Sequence, residues 1–221
     1  LKVAWLALPN ILGWHGFSII GLSGLASGRA SILGFTMPVW TVLVAIALGE
    51  QRLSSRVALA VTGALCAIAL LSAQELSALA GHPVGVLWMQ AAALCWATGT
   101  VMMRRTQLDM PTEAVTVWMM LMGALAFWLV AGLLEPLPQP AGFSAAMWGS
   151  LLYGVVLNYG YAQIIWFGMA RKLPPAASAF SIMAVPVVGT VSATLIVGEI
   201  PHLTDWLAAL CVMAAIAAAL L

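Results

Sequence analysis

Charge is what this chain most lacks. Only 15 of its 221 residues are charged, eight Lys or Arg and seven Asp or Glu, or 7% where a soluble domain carries about 25%. Apolar residues make up 63%, and the mean hydropathy is +1.06. A water-soluble globule of 23.1 kDa with this composition would have to expose mostly hydrocarbon, which excludes soluble enzymes. A net charge of +1 leaves no basic surface for phosphates, which excludes nucleic-acid binders. Paired cysteines are also absent. Cys66, Cys95 and Cys211 each stand alone in an apolar stretch, with no CxxC and no Cys/His pairing, so they read as small core residues. No two of His, Asp, Glu or Cys share an apolar stretch at ligand spacing, so no metal and no cofactor is expected. No signal peptide is visible, and a start at Leu1-Lys2-Val3 without Met suggests a fragment or a processed product.

What remains is a series of long apolar runs. A helix needs about 20 apolar residues to cross roughly 30 Å of hydrocarbon. Reading between the charges gives spans near 3–26, 30–49, 57–74, 84–103, 114–134, 145–170, 175–198 and 206–221, with all 15 charged residues outside them. The connections carry turn chemistry, as in Gly81-His82-Pro83 and Pro174-Pro175. Only helices or closed barrels satisfy their backbone in lipid, and runs of this length are helices. The expected fold is all-α, a polytopic transmembrane helical bundle. Alternate loops then put Lys2, Arg52, Arg56, Arg104, Arg105, Arg171 and Lys172 on one side and only Arg29 on the other. That asymmetry assigns the first side to the cytoplasm.

The chain also repeats itself. Ala30 to Val39 contains Pro38 and leads through an apolar run to Gly49-Glu50, while Ser178 to Val187 contains Pro186 and leads to Gly198-Glu199. Each Glu is followed by a short polar turn and an Ala-rich helix, Val57 to Leu71 and Trp206 to Leu221. The two prolines are 148 residues apart, with five spans per period. An odd number of spans inverts the second copy, and inverted repeats are a hallmark of secondary transporters.

This doubled pattern resembles the EamA domain of the drug/metabolite transporter superfamily. Leu94-Cys95-Trp96-Ala97-Thr98-Gly99 with Arg104-Arg105, and Gly168-Met169-Ala170-Arg171-Lys172-Leu173-Pro174-Pro175-Ala176-Ala177, resemble further segments of that family. The resemblance covers nearly the whole chain and implies inverted five-helix repeats, with eight of ten helices present. Residues 1–74 would be the remainder of the first EamA repeat (helices three to five) and 84–221 the second (helices six to ten), the chain being truncated at the N-terminus. It implies a multi-pass protein of a bacterial inner (plasma) membrane, C-terminus cytoplasmic, that exports its substrate.

Candidate site residues follow from polar groups inside spans, which are functional hypotheses by default. Asn10, Trp14 and Ser18 form a stripe at helical spacing flanked by His15, the only imidazole inside a span. In the corresponding helix of the second half, Tyr159, Gln163 and Trp166 form another, with Asn158 and Tyr161 on a neighbouring face. Trp96 lies nearest mid-span among the tryptophans of residues 84–134. Trp14, His15, Ser18, Trp96, Asn158, Tyr159 and Gln163 are therefore the expected substrate-binding residues. Pro38 and Pro186, near mid-span, each free a carbonyl four residues earlier and are candidate gate kinks. Glu50 and Glu199 read as structural charges at helix ends. With no charge inside any span, the ligand is expected to be small and polar or zwitterionic, such as an amino acid or related compound. It would move by alternating access without ATP. The partners would be the lipid bilayer, this substrate and a coupling proton, with a homodimer left open.

Two other classes compete. Gly21-Leu22-Ser23-Gly24 matches the GxSG of rhomboid intramembrane proteases. However, His15 lies two turns away on the same helix, and His82 and His202 fall in loops, so no buried base is in reach. A non-transporting membrane assembly protein is the other.

Overall fold

The computed structural model describes residues 1–25, 33–34, 36–72, 83–136, 138–182, 185, 188, 191, 195 and 203–220. Pro186 and Glu199 lie outside them. The described residues form eight helices and no strand, at the places read from the spacing of charge.

Helix α1, Lys2–Ser23, widens into a π turn over Leu8–Gly13. Pro9 accounts for it: the ring has no N–H to give the Trp5 carbonyl and crowds it, so the following bonds slip to the longer π register. Helix α2, Met37–Ala47, has Pro38 as its second residue, where the missing N–H is one the helix end leaves unpaired anyway. The turn before it is closed by the Thr36 N–H on the Leu33 carbonyl at 3.1 Å. Pro38 therefore sits in the first turn of a helix that follows the turn at Thr36. At the other end Gly49 takes a φ of +76°, open to glycine at no steric cost. The Gly49 and Glu50 N–H groups then reach back to the Ile46 and Ala45 carbonyls at 3.0 and 2.8 Å, closing the helix in a Schellman motif. That is the physical content of the Gly-Glu pair in the sequence.

Helices α3 (Ser55–Ser72), α4 (Pro83–Arg105) and α5 (Thr112–Leu134) follow. Helix α6 runs through Ala145–Tyr153, a π segment Gly154–Ala162, and Gln163–Lys172. Its start is capped by Ser144, whose hydroxyl accepts from the Met147 N–H at 3.2 Å. Helices α7 (Pro175–Ser181) and α8 (Leu203–Leu220) complete the set. By length and composition α1, α4 and α5 can each cross a bilayer. Two helices run past the C-terminal ends of the spans read from the sequence. Arg104 and Arg105 occupy the last turn of α4, and Arg171 and Lys172 that of α6. A cation there faces the negative end of the helix dipole, and its long stem lets the charge reach water.

The helices gather around two main cores. In one, Ala60, Ala64 and Ala67 of α3 meet Ala208, Val212 and Ala215 of α8. With no hydrophobic drive in lipid, such small faces associate through close backbone approach and dispersion. In the other, Leu6, Ala7 and Ile11 of α1 pack with Trp96 and Met103 of α4, Val115 and Met119 of α5, and Trp166, Phe167 and Ala170 of α6.

One end of this second core is clasped by cations. Arg171 donates from Nη1 to the Met110 carbonyl and Thr112 Oγ1, both at 3.0 Å, and from Nη2 to the Leu108 carbonyl at 3.3 Å. Arg104 donates in the opposite sense, to the Leu173 carbonyl after α6, and Lys2 reaches the Gln107 carbonyl at 3.4 Å. Arg105 pairs with Glu50 at 3.2 Å. The chain's start, the end of α2 and the loops after α4 and α6 thus share one end of the bundle.

Candidate functional site

The two polar stripes meet. The His15 ring lies 5.6 Å from that of Tyr159 and 6.4 Å from Phe127. Between α1, α5 and α6 they border an open cavity of about 310 Å³, lined by Ile11, His15, Ile19, Met120, Ala124, Phe127 and Tyr159. His15 holds its ring by Nδ1 on the Ile11 carbonyl at 2.9 Å. Since a carbonyl only accepts, Nδ1 carries the proton and Nε2 is left for another partner. A second cavity, about 290 Å³, is lined by Phe127, Trp128, Ala131, Gly132, Glu135, Pro136 and Pro138. Phe127 is common to both, so together they follow α5 from mid-helix to the end opposite its Thr112 terminus and the arginine clasp.

Behind His15 is an aromatic layer. The Trp14 and Trp96 rings are 5.1 Å apart, Trp96 stacks on Trp166 at 5.6 Å, and Phe167 lies 6.3 Å from Trp96. Gln163 is buried one turn before Trp166. Of the seven expected substrate-binding residues, Trp14 pairs with Trp96 and His15 with Tyr159 through ring contacts, and Gln163 is buried on α6 one turn before Trp166. Ser18 is buried, but its hydroxyl donates to the His15 carbonyl of its own helix at 3.1 Å. Asn158 is exposed. Ser23, the serine of the GxSG match, is also exposed and donates to the Ile20 carbonyl at 2.7 Å.

Two features escaped the sequence reading. Asn10 is fully buried, with its amide against Gly99 of α4; its place on the Trp14 stripe was the available signal. Gln90 of α4 accepts from Trp40 Nε1 at 2.8 Å and Thr36 Oγ1 at 3.0 Å, bracing α2 around Pro38. A lone amide inside a hydrophobic span was the signal there.

The model of the EamA-like transporter family matches residues 83–221, nearly the stretch read as a second repeat. Over 177 residues the chain is 25% identical to "Uncharacterized transporter YoaV" of Bacillus subtilis (strain 168), covering 80% of this chain and 60% of that protein. Over 201 residues it is 26% identical to "Uncharacterized transporter YvbV" of the same organism, covering 87% and 63%. The chain thus spans less than two thirds of the length of these curated relatives. A solved structure described as "Crystal structure of protein" superposes with a TM-score of 0.78 at 23% identity, covering 96% of this chain and 74% of that one, a likeness of fold. The match extends over more than half of the chain, and the chain belongs to the EamA-like transporter family, an integral membrane member of the drug/metabolite transporter superfamily.

Proposed function

We propose that this chain forms most of a secondary transporter that exports small polar or zwitterionic metabolites across a bacterial inner membrane by alternating access. The observation that carries this reading is the cavity of about 310 Å³ between α1, α5 and α6, which has His15 and Tyr159 in its wall. A mostly apolar cavity between membrane helices, with a few polar groups converging in its wall, is a ligand site by default.

The inverted repeat gains support from two features. Shifting the π turn of α1 by the 148 residues between Pro38 and Pro186 carries it to 156–161, within the π segment Gly154–Ala162 of α6. The Ala-rich helices α3 and α8, which the repeat relates, pack on each other, as elements beside a pseudo-twofold axis do. The cationic clasp at one end and the two cavities toward the other fit a state closed on the cytoplasmic side and open outward. The positive charge of the clasped end supports a cytoplasmic side for it, and with it for the C-terminus.

The test is transport by the complete protein in proteoliposomes, against a panel of amino acids, nucleosides and drugs. Movement of at least one solute, impaired by Tyr159→Ala with membrane insertion intact, is expected. No movement of any panel member would sink the reading. If His15 also carries the coupling proton, His15→Gln flattens the pH profile of transport.

A further inference from the structure

Four polar atoms are left over by the fold. Asn10 Oδ1, Trp96 Nε1, Gln163 Oε1 and Trp166 Nε1 are buried without a hydrogen-bond partner among the described residues. Their residues are 0%, 7%, 8% and 8% exposed. Isolated orphans occur in native proteins, but each needs an explanation, and these four stand on α1, α4 and α6, which pack into one core. Trp96 stacks on Trp166. Gln163 lies one turn before Trp166 on α6, and one turn beyond Trp96 on α4 is Gly99, against which the Asn10 amide rests. Asn10 itself stands within the π turn of α1, and π turns recur at functional sites. Its orientation is fixed by chemistry: Nδ2 donates to the Leu6 carbonyl at 2.9 Å, so the atom left unpaired is the acceptor.

The quartet is balanced, with two amide oxygens seeking donors and two indole N–H groups seeking acceptors. A partner for all four must both donate and accept. Charge is the second constraint. None of the four carries any, so a carboxylate or ammonium brought among them would lose its water with no counter-ion in return. We propose that these four atoms form the polar end of the substrate site and receive an uncharged hydrogen-bonding head group, a carboxamide or hydroxyl. The cavity beside Tyr159, one turn from Gln163, takes the apolar body. This rests on the transport reading above and narrows its substrate class from polar or zwitterionic to neutral.

The matched probes are nicotinamide, pyridine-3-methanol and nicotinate, which share a ring and differ in the head group. Thermal unfolding of the complete protein in lipid nanodiscs should shift upward by about 3 °C with the amide or the alcohol at several times its Kd, and not with nicotinate. Gln163→Leu and Asn10→Leu should each abolish the shift. If either leucine variant does not fold, Gln163→Asn, which withdraws the amide by one carbon, should weaken the shift at least tenfold in apparent affinity. Equal stabilisation by nicotinate, no stabilisation by any of the three (the quartet then holding water only), or a shift that survives Gln163→Leu would each overturn the inference. Proteoliposomes separate it from its premise. Nicotinamide binding without transport of any solute keeps the neutral site and removes the transporter. Transport of zwitterions by Gln163→Leu at the unmodified rate does the reverse.

Discussion

Gly99→Ala is the sharpest test of how α1 and α4 are joined. A Cβ built on Gly99 would lie no more than 2.7 Å from Oδ1, Cγ and Nδ2 of Asn10, closer than unbonded carbon can sit to any of them. Asn10 has little room to yield, because it is fully buried and tied by Nδ2 to the Leu6 carbonyl. Overpacking a tight contact costs about 1–3 kcal/mol. Turning the amide away forfeits its hydrogen bond, about 1 kcal/mol. Alanine returns about 1 kcal/mol through its better helix propensity. The net expectation is a loss of about 1–3 kcal/mol, or a melting temperature lower by roughly 2–10 °C, read by tryptophan fluorescence in nanodiscs. Gly132→Ala on α5 is the matched control, since nothing lies within 4 Å of its built Cβ; it should be neutral or up to about 1 kcal/mol stabilising. Adding Asn10→Ala to Gly99→Ala should recover at least about 1 kcal/mol relative to the sum of the single changes. If Gly99→Ala melts with Gly132→Ala, or if the double change is additive, the contact does not hold the seam together.

Two further outcomes follow from the hydrogen bonds. Gln90→Leu removes the acceptor shared by Trp40 and Thr36. Thr36 can keep its single proton on the Leu33 carbonyl, so the orphan is the Trp40 indole, and unfolding in a denaturant titration should come about 1–3 kcal/mol earlier; an unchanged midpoint would mean the indole finds water. Arg171→Gln releases the carbonyls of Leu108 and Met110, so limited chymotrypsin digestion should cut the 106–111 loop several-fold faster. Arg171→Lys should fall in between, because a point donor cannot span both carbonyls, and equal rates for all three proteins would refute the clasp.

The eight helices were legible because a bilayer forbids charge, so the spacing of 15 charged residues outlines the spans almost by itself. The stripes through Trp14 and Gln163 were legible because helical spacing survives in any context. The π turns were not, since a widened register leaves the same apolar composition and only Pro9 hints at the first. Nor was the start of α2 at Met37, just before Pro38, because a proline serves equally as a kink and as a first-turn residue until the turn before it is known. Asn158 and Tyr159 are adjacent in sequence and both exposed, yet only Tyr159 has a ring contact with His15. One residue is about 100° of helix, and only the position of the neighbouring helices decides which side faces inward. The exposed Trp118, Trp128 and Trp148 show the same limit, since indoles serve lipid interfaces and interiors alike.

The contact between Asn10 and Gly99 also sets a timetable for biosynthesis. Asn10 emerges from the ribosome 89 residues before Gly99, an interval of about 4–18 s at 5–20 residues per second. Throughout that interval α1 is in the membrane with Asn10, His15 and a proline-widened turn, and α4 has not yet been made. The helix must therefore wait beside the insertion machinery, or against another polar helix, until its glycine-bearing partner arrives.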